Sequence, residues 1–133
     1  MQCFRIIQAL LATLLLLHMA GCSGGAQNGS GAAGAVEAYN QALVAKDADR
    51  LSTLSCADWE GDARTELESF GAVETTLEDM DCQESGTEGD YTLVACTGTI
   101  SADYNGEILE IDLAGHTYLA RLEGGDWRMC GYR

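Results

Sequence analysis

Hydrophobic residues follow three successive regimes along this chain. A near-continuous apolar run occupies Ile6 to Leu17, interrupted only by Gln8 and Thr13. From Ala35 the spacing becomes helical. Val36, Tyr39 and Leu43 recur at i, i+3 and i+7 with Ala42 beside them, which predicts a helix with one apolar stripe ending near Lys46. Asp47 reads as the N-cap of a short second helix that carries Leu51 and Leu54 and ends near Cys56. A third helix follows Asp58, with Trp59, Ala63, Leu67 and Phe70 on one side, Gly61 weakening its first turn and Gly71 stopping it.

After Gly71 the period changes to two. Ala72 to Gln83 is predicted as a strand with an acidic face, and the polar, glycine-bearing Glu84 to Gly89 as a hairpin loop. Tyr91 to Tyr104 is rich in Thr, Val, Ile and Tyr and gives the clearest strand. It runs into Asn105-Gly106, a pair that tolerates the positive φ a two-residue hairpin needs. Glu107 to Leu122 returns, with Leu109, Ile111 and Leu113 on the buried phase against Glu110 and Asp112. A bend at Gly115 then hands the buried phase to Tyr118, Ala120 and Leu122. Gly124-Gly125 turns the chain once more into a last strand, Trp127 to Tyr132. Helices first and a four-stranded antiparallel meander afterwards make the fold class α+β.

The apolar run is too short and too interrupted for a spanning helix, which wants about 20 apolar residues. With Arg5 before it and Ala20-Gly21 after it, it has the three parts of an export signal over residues 1–21. The ending Met19-Ala20-Gly21-Cys22 resembles the bacterial lipobox, with methionine where leucine is usual. That resemblance implies cleavage before Cys22 and lipidation of its thiol and amine. The protein would then be anchored through Cys22 to the outer face of the cell membrane or to the outer membrane of a bacterium. Several acyl chains anchor stably where one is only marginally held. Residues 23–34, rich in Gly, Ser and Ala, read as a flexible tether with an end-to-end distance on the order of 20 Å. The organisation is therefore signal 1–21, lipidated cysteine and tether 22–34, and one domain 35–133.

Cleavage removes one arginine and no acid from a chain of net charge −14, leaving the exported form at −15. So acidic a body is a poor partner for nucleic acid, whose binding rests on Lys and Arg meeting phosphates. It also stands off an anionic lipid surface. Of six cysteines, Cys3 falls in the signal and Cys22 takes the lipid, so Cys56, Cys82, Cys96 and Cys130 remain. An even number in an exported chain reads as two disulfides, and three connectivities are open. Their wide spacing lacks the close pairs of a zinc site. Asp79, Asp81, Gln83, Ser85, Thr87 and Asp90 match a calcium-loop spacing, but Glu84 occupies the position that needs glycine and the last ligand is Asp. No metal and no cofactor is expected.

Val36-Glu-Ala-Tyr-Asn-Gln-Ala-Leu-Val-Ala-Lys-Asp47 followed by Leu51-Ser-Thr-Leu54 resembles the first two helices of the nuclear transport factor 2-like superfamily. Tyr118-Leu-Ala-Arg-Leu-Glu-Gly-Gly-Asp-Trp-Arg-Met-Cys130 resembles its last hairpin, and the likeness spans residues 35–133. It is nearest to small bacterial lipoproteins of unknown function built on that domain. The resemblance implies a curved sheet wrapped around a long helix as a cone-shaped half barrel with a pocket at the open end. It also implies Cys56 paired with Cys130, leaving Cys82 with Cys96 across the first hairpin. On a chain-entropy model these would contribute about 4 and about 3 kcal/mol.

Enzymes of this fold place Asp, Tyr or His in the cone, which makes Asp112, His116 and Tyr118 the catalytic candidates. Asp112 falls on the polar phase of its strand, however, and His116 is the only histidine outside residues 1–21, with no acid placed to orient it. Within residues 35–133 there is no Gly-x-Ser-x-Gly and, with the cysteines paired, no free thiol. Tyr39, Trp59, Phe70, Tyr118 and Trp127 are expected as pocket wall. The favoured reading is a non-catalytic module holding a small molecule or a protein partner, with a homodimer through the sheet face as its expected assembly. The alternatives are a small isomerase, dehydratase or hydrolase-type enzyme using Asp112 and His116, and a cystatin-like inhibitor, which would need an exposed wedge loop. Cys22→Ala is expected to move the protein from the membrane to the soluble fraction on cell fractionation, and retention in the membrane would refute the anchor.

Overall fold

A computed structural model describes residues 31–133. The signal, Cys3, Cys22 and the tether up to residue 30 lie outside the described residues. Three helices precede five strands: α1 Ala32–Val44, α2 Ala48–Leu54, α3 Glu60–Ser69, β1 Glu74–Glu88, β2 Tyr91–Tyr104, β3 Glu107–Asp112, β4 Thr117–Glu123 and β5 Asp126–Tyr132. A 3₁₀ turn, Leu113–Gly115, separates β3 from β4. Among the described residues, no helix is long and apolar enough to cross a membrane.

α1 opens at Ala32, three residues inside the expected tether, and Ala32 is fully buried. No side chain of its own caps it. The carboxylate of Glu84, from β1, accepts from Ala32 N at 3.3 Å and satisfies one of the free first-turn donors. The predicted stripe of Val36, Tyr39, Ala42 and Leu43 is buried in the core. At the far end Lys46 takes positive φ, and its ammonium donates to Val73 O. Asp47 caps α2 as expected, accepting from Arg50 N at 3.0 Å.

All strands pair antiparallel, in the order β1-β2-β4-β5, with β3 also on β2. The predicted single strand Glu107–Leu122 is therefore two strands. Residues 99–104 of β2 pair with β3 and residues 92–95 pair with β4, so both segments share one edge of β2. Leu109 and Leu122 occupy the expected face but are 50% and 58% exposed. Leu109 faces buried Ala102 near the hairpin tip, where no helix makes extended contact with β3, and Leu122 lies beside the Gly124-Gly125 turn. The predicted loop Glu84–Gly89 is also corrected: β1 continues to Glu88, and the turn is Gly89-Asp90 alone. Residues 83–88 are exposed on both faces, so no hydrophobic alternation could announce this strand end. The calcium-spaced residues from Asp79 to Thr87 lie along the extended β1 and form no loop.

Two glycines shape the sheet. Gly98 of β2, at φ +112°, opposes both Asp79 and Met80 in a bulge of β1, and a Cβ there would lie 2.7 Å from Glu78 O and 2.8 Å from Met80 Cα. Gly131, at φ +120°, lies where a Cβ would crowd the Trp59 ring at 3.2 Å, and it supplies the extra residue in the β4–β5 register. Disulfides join Cys56 at the end of α2 to Cys130 of β5, with Cα atoms 4.9 Å apart, and Cys82 to Cys96 across β1 and β2, at 4.1 Å. This is the pairing the resemblance implied.

Gly98→Ala is expected to lower stability by about 3 kcal/mol, since a side chain there meets backbone and takes an unfavourable φ. Gly61→Ala, where a Cβ would meet nothing within 4 Å, is expected to raise it by about 0.5 kcal/mol. Urea midpoints of the two variants check both signs.

Candidate functional site

The sheet, α1 and α3 line a half-open pocket of about 200 Å³. Its apolar side is built by Leu43, Phe70, Ile100, Ile111 and Leu113. Ile100 and Ile111 are cross-strand partners of β2 and β3, and Leu113 follows from the 3₁₀ turn, so the break in the predicted long strand supplies this wall. The polar side holds Asn40, Glu66, Ser69, His116 and three tyrosines, Tyr39, Tyr118 and Tyr132.

Glu66 organises the polar side. Tyr39 of α1 donates its hydroxyl to Glu66 Oε2 at 2.5 Å, and Tyr132 of β5 donates to Glu66 Oε1 at 2.5 Å. Trp59 Nε1 donates to Tyr39 Oη at 3.2 Å, fixing the direction in which Tyr39 donates. One carboxylate thus ties α3 to both the central helix and the last strand. The Tyr118 and Tyr132 rings meet edge to face with centroids 5.8 Å apart, and His116 lies 4.5 Å from the Tyr132 ring.

Burial pushes the Tyr39 hydroxyl well above its ordinary value of 10.0, and the Glu66 charge adds to the rise. Burial likewise pushes Tyr118 up to about 12; the Asn40 amide offsets part of this, and Glu66 adds to it. Tyr132 rises through burial first and its bond to Glu66 second. Near neutral pH all three phenols keep their protons. Tyr39 and Tyr132 donate them in hydrogen bonds to Glu66.

Of the expected wall residues, Tyr39, Phe70 and Tyr118 line the pocket. Trp59 stands behind Tyr39 and packs edge-on against Tyr132, with ring centroids 5.6 Å apart. Trp127 lies apart from the pocket, in a surface groove with Gly34, Ala38 and Arg128. His116 and Tyr118 reach the pocket and Asp112 does not: its carboxylate is exposed and accepts from Ala114 N at 2.9 Å, capping the 3₁₀ turn. The candidate pair Asp112 and His116 therefore does not come together in the cone. Three residues went unrecognised in the sequence. Glu66 lies three residues after Ala63 and four before Phe70, within the apolar stripe of α3, and an acid in that position was the available signal. Asn40 is similarly placed four residues after Val36. Tyr132 had no signal, because the extra residue at Gly131 switches which face it takes.

No protein-family model matches the sequence, and no curated protein matches it. Among solved structures, the chain is similar to a candidate dehydratase of the NTF2-like family from Streptomyces avermitilis, with a TM-score of 0.50 and 18% identity over 74% of this chain and 89% of that one. It is also similar to the solution structure of a SEC-C motif containing protein from Rhodopseudomonas palustris, at TM-score 0.50 and 13% identity, over 81% and 83% of the two chains. At these identities the likeness establishes the fold, a nuclear transport factor 2-like α+β cone.

The phenols give stability a pH dependence of definite sign. An unfolded tyrosine ionises near pH 10.0, whereas buried Tyr118 resists until about pH 12. In that window the unfolded chain holds fewer protons, so stability falls as pH rises. Tyr39 and Tyr118 are each expected to contribute a loss of about 1.4 kcal/mol per pH unit. Urea unfolding at a series of pH values through this window should show it, and Tyr118→Phe should flatten the slope by one such contribution.

Proposed function

We propose that this chain is an exported, lipid-anchored protein that uses its cone to hold a small molecule without turning it over. The export half of the reading is supported by two disulfides, which belong to an oxidising compartment outside the cytoplasm. The anchor half rests on Met19-Ala20-Gly21-Cys22 and the glycine-rich stretch after it.

The observation that carries the binding reading is the pocket lined by both apolar and hydrogen-bonding side chains, the usual make-up of a small-molecule site. Its groups are arranged for recognition. Glu66 spends a lone pair of each oxygen on a phenol, and the phenols remain protonated. A general base needs a free acceptor with a pKa near the working pH, and an imidazole serves best when an acid orients it. Asp112, the acid considered for that role, is engaged outside the pocket. The inhibitor alternative draws less support, because the three strand hairpins turn through Gly89-Asp90, Asn105-Gly106 and Gly124-Gly125, two residues each, too short for a protruding wedge.

Native mass spectrometry of the full chain purified from its source membrane tests the reading. A stoichiometric small molecule is expected with the wild type and absent from Ile111→Trp, which fills the pocket from its half-buried wall. Co-purification with both proteins, or with neither, would refute a pocket ligand. Conversion of the released compound on re-incubation would overturn the non-catalytic part alone.

A further inference from the structure

We infer that the pocket selects a small organic ammonium ion. The inference rests on the small-molecule reading and specifies its ligand class. Three independent features lead to it. Glu66 is the only Asp, Glu, Lys or Arg among the residues that line the pocket, so the fixed charge there is a single negative one. An anionic ligand would enter with no cationic side chain to meet it except an imidazolium at His116.

The second feature is what remains of the Glu66 acceptor capacity. A carboxylate offers about four lone-pair sites, and the structure assigns two of them, one per oxygen, to Tyr39 and Tyr132. The two phenols hold the carboxylate in place and leave its charge uncompensated. A ligand cation can supply that compensation.

The third is the aromatic lining. Tyr118, Tyr132 and His116 pack with mutual inclinations of 45° to 73° and centroids 4.5 to 6.2 Å apart, and all three contribute to the wall. Tilted aromatic rings beside a carboxylate are the surroundings in which alkylammonium groups are recognised, through ring quadrupole and charge together. The exported chain's net charge of −15 also raises the local concentration of cations around the domain.

The probe is choline, compared with 3,3-dimethyl-1-butanol, in which carbon replaces the charged nitrogen, and with the anion isovalerate. Each is titrated calorimetrically into the full chain in an uncharged detergent at physiological ionic strength. Choline is expected to bind about tenfold more tightly than the alcohol, and isovalerate more weakly than either. Glu66→Gln should bring the ratio of choline to alcohol close to one. Tyr132→Leu, at a residue exposed enough for the fold to tolerate the change, should weaken choline severalfold more than the alcohol. Ile111→Trp should abolish choline binding, so that retention there would assign it to the acidic surface and overturn the inference. Alcohol binding as tight as choline would overturn the cation preference while leaving a small-molecule pocket standing. Absence of choline binding would also overturn it, and native mass spectrometry decides the parent reading separately.

Discussion

Gly98 leaves no space for a side chain, and the cone depends on that. Its Cα stands against the backbone of Glu78 to Met80 where β1 bulges, with two residues of β1 facing one of β2. A bulge bends its strand and increases the local twist. On the other edge of β2, the same position lies in the gap between the residues paired to β4 and those paired to β3. One edge of a long strand can therefore serve two shorter ones, with a 3₁₀ turn between them. Leu113 from that turn and the Ile100–Ile111 pair beside it then form the apolar wall of the pocket. The cavity follows from backbone geometry before any side-chain chemistry enters.

Beyond the packing of α1 on the sheet, the end of α2 is fastened to β5 at one junction. Cys56 at the end of α2 donates its N–H to Met129 O at 2.8 Å, Ser55 forms a parallel bridge with Met129, and the Cys56–Cys130 disulfide spans the same junction. The second disulfide links directly facing residues of β1 and β2, two positions from Gly98. Small domains bury a lower share of their surface than large ones, so covalent closure of long loops has proportionally more effect on their stability. Export to an oxidising compartment is the condition under which these links persist.

Much of this was legible in the chain, for reasons that differ from element to element. The α1 stripe and the Asp47 cap were readable because helical periodicity and capping are local. So were the two-residue turns at Asn105-Gly106 and Gly124-Gly125, where residue type alone decides. The far end of β1 was not, since Glu84 to Glu88 are exposed on both faces and extended backbone is there specified only by its partner strand. Ala32 joins α1 because Glu84, 52 residues away, accepts from its amide, a contact no local pattern can encode. Tyr39, Phe70 and Tyr118 were identified as pocket wall because large aromatics on buried phases have few other places to go. Trp127 followed the same logic and lies elsewhere, because the direction of the cone's opening is a property of the sheet's curvature and not of the residue.

The electrostatics of the pocket bear on chemistry as much as on recognition. The Glu66 carboxylate accepts one hydrogen bond on each oxygen, from Tyr39 and from Tyr132, and bonds to an ionised acceptor are stronger than those between neutral groups. Burial first, and the neighbouring Glu66 carboxylate second, hold Tyr39 and Tyr132 in their neutral forms. Both phenols therefore resist the loss of a proton. The two bonds hold the Glu66 carboxylate in one position between α1 and β5. Trp59 reinforces this by donating to Tyr39, leaving that hydroxyl's proton directed at Glu66. Two of the acceptor sites of Glu66 are thereby committed, and the carboxylate shares the pocket with the apolar residues Ile100, Ile111 and Leu113.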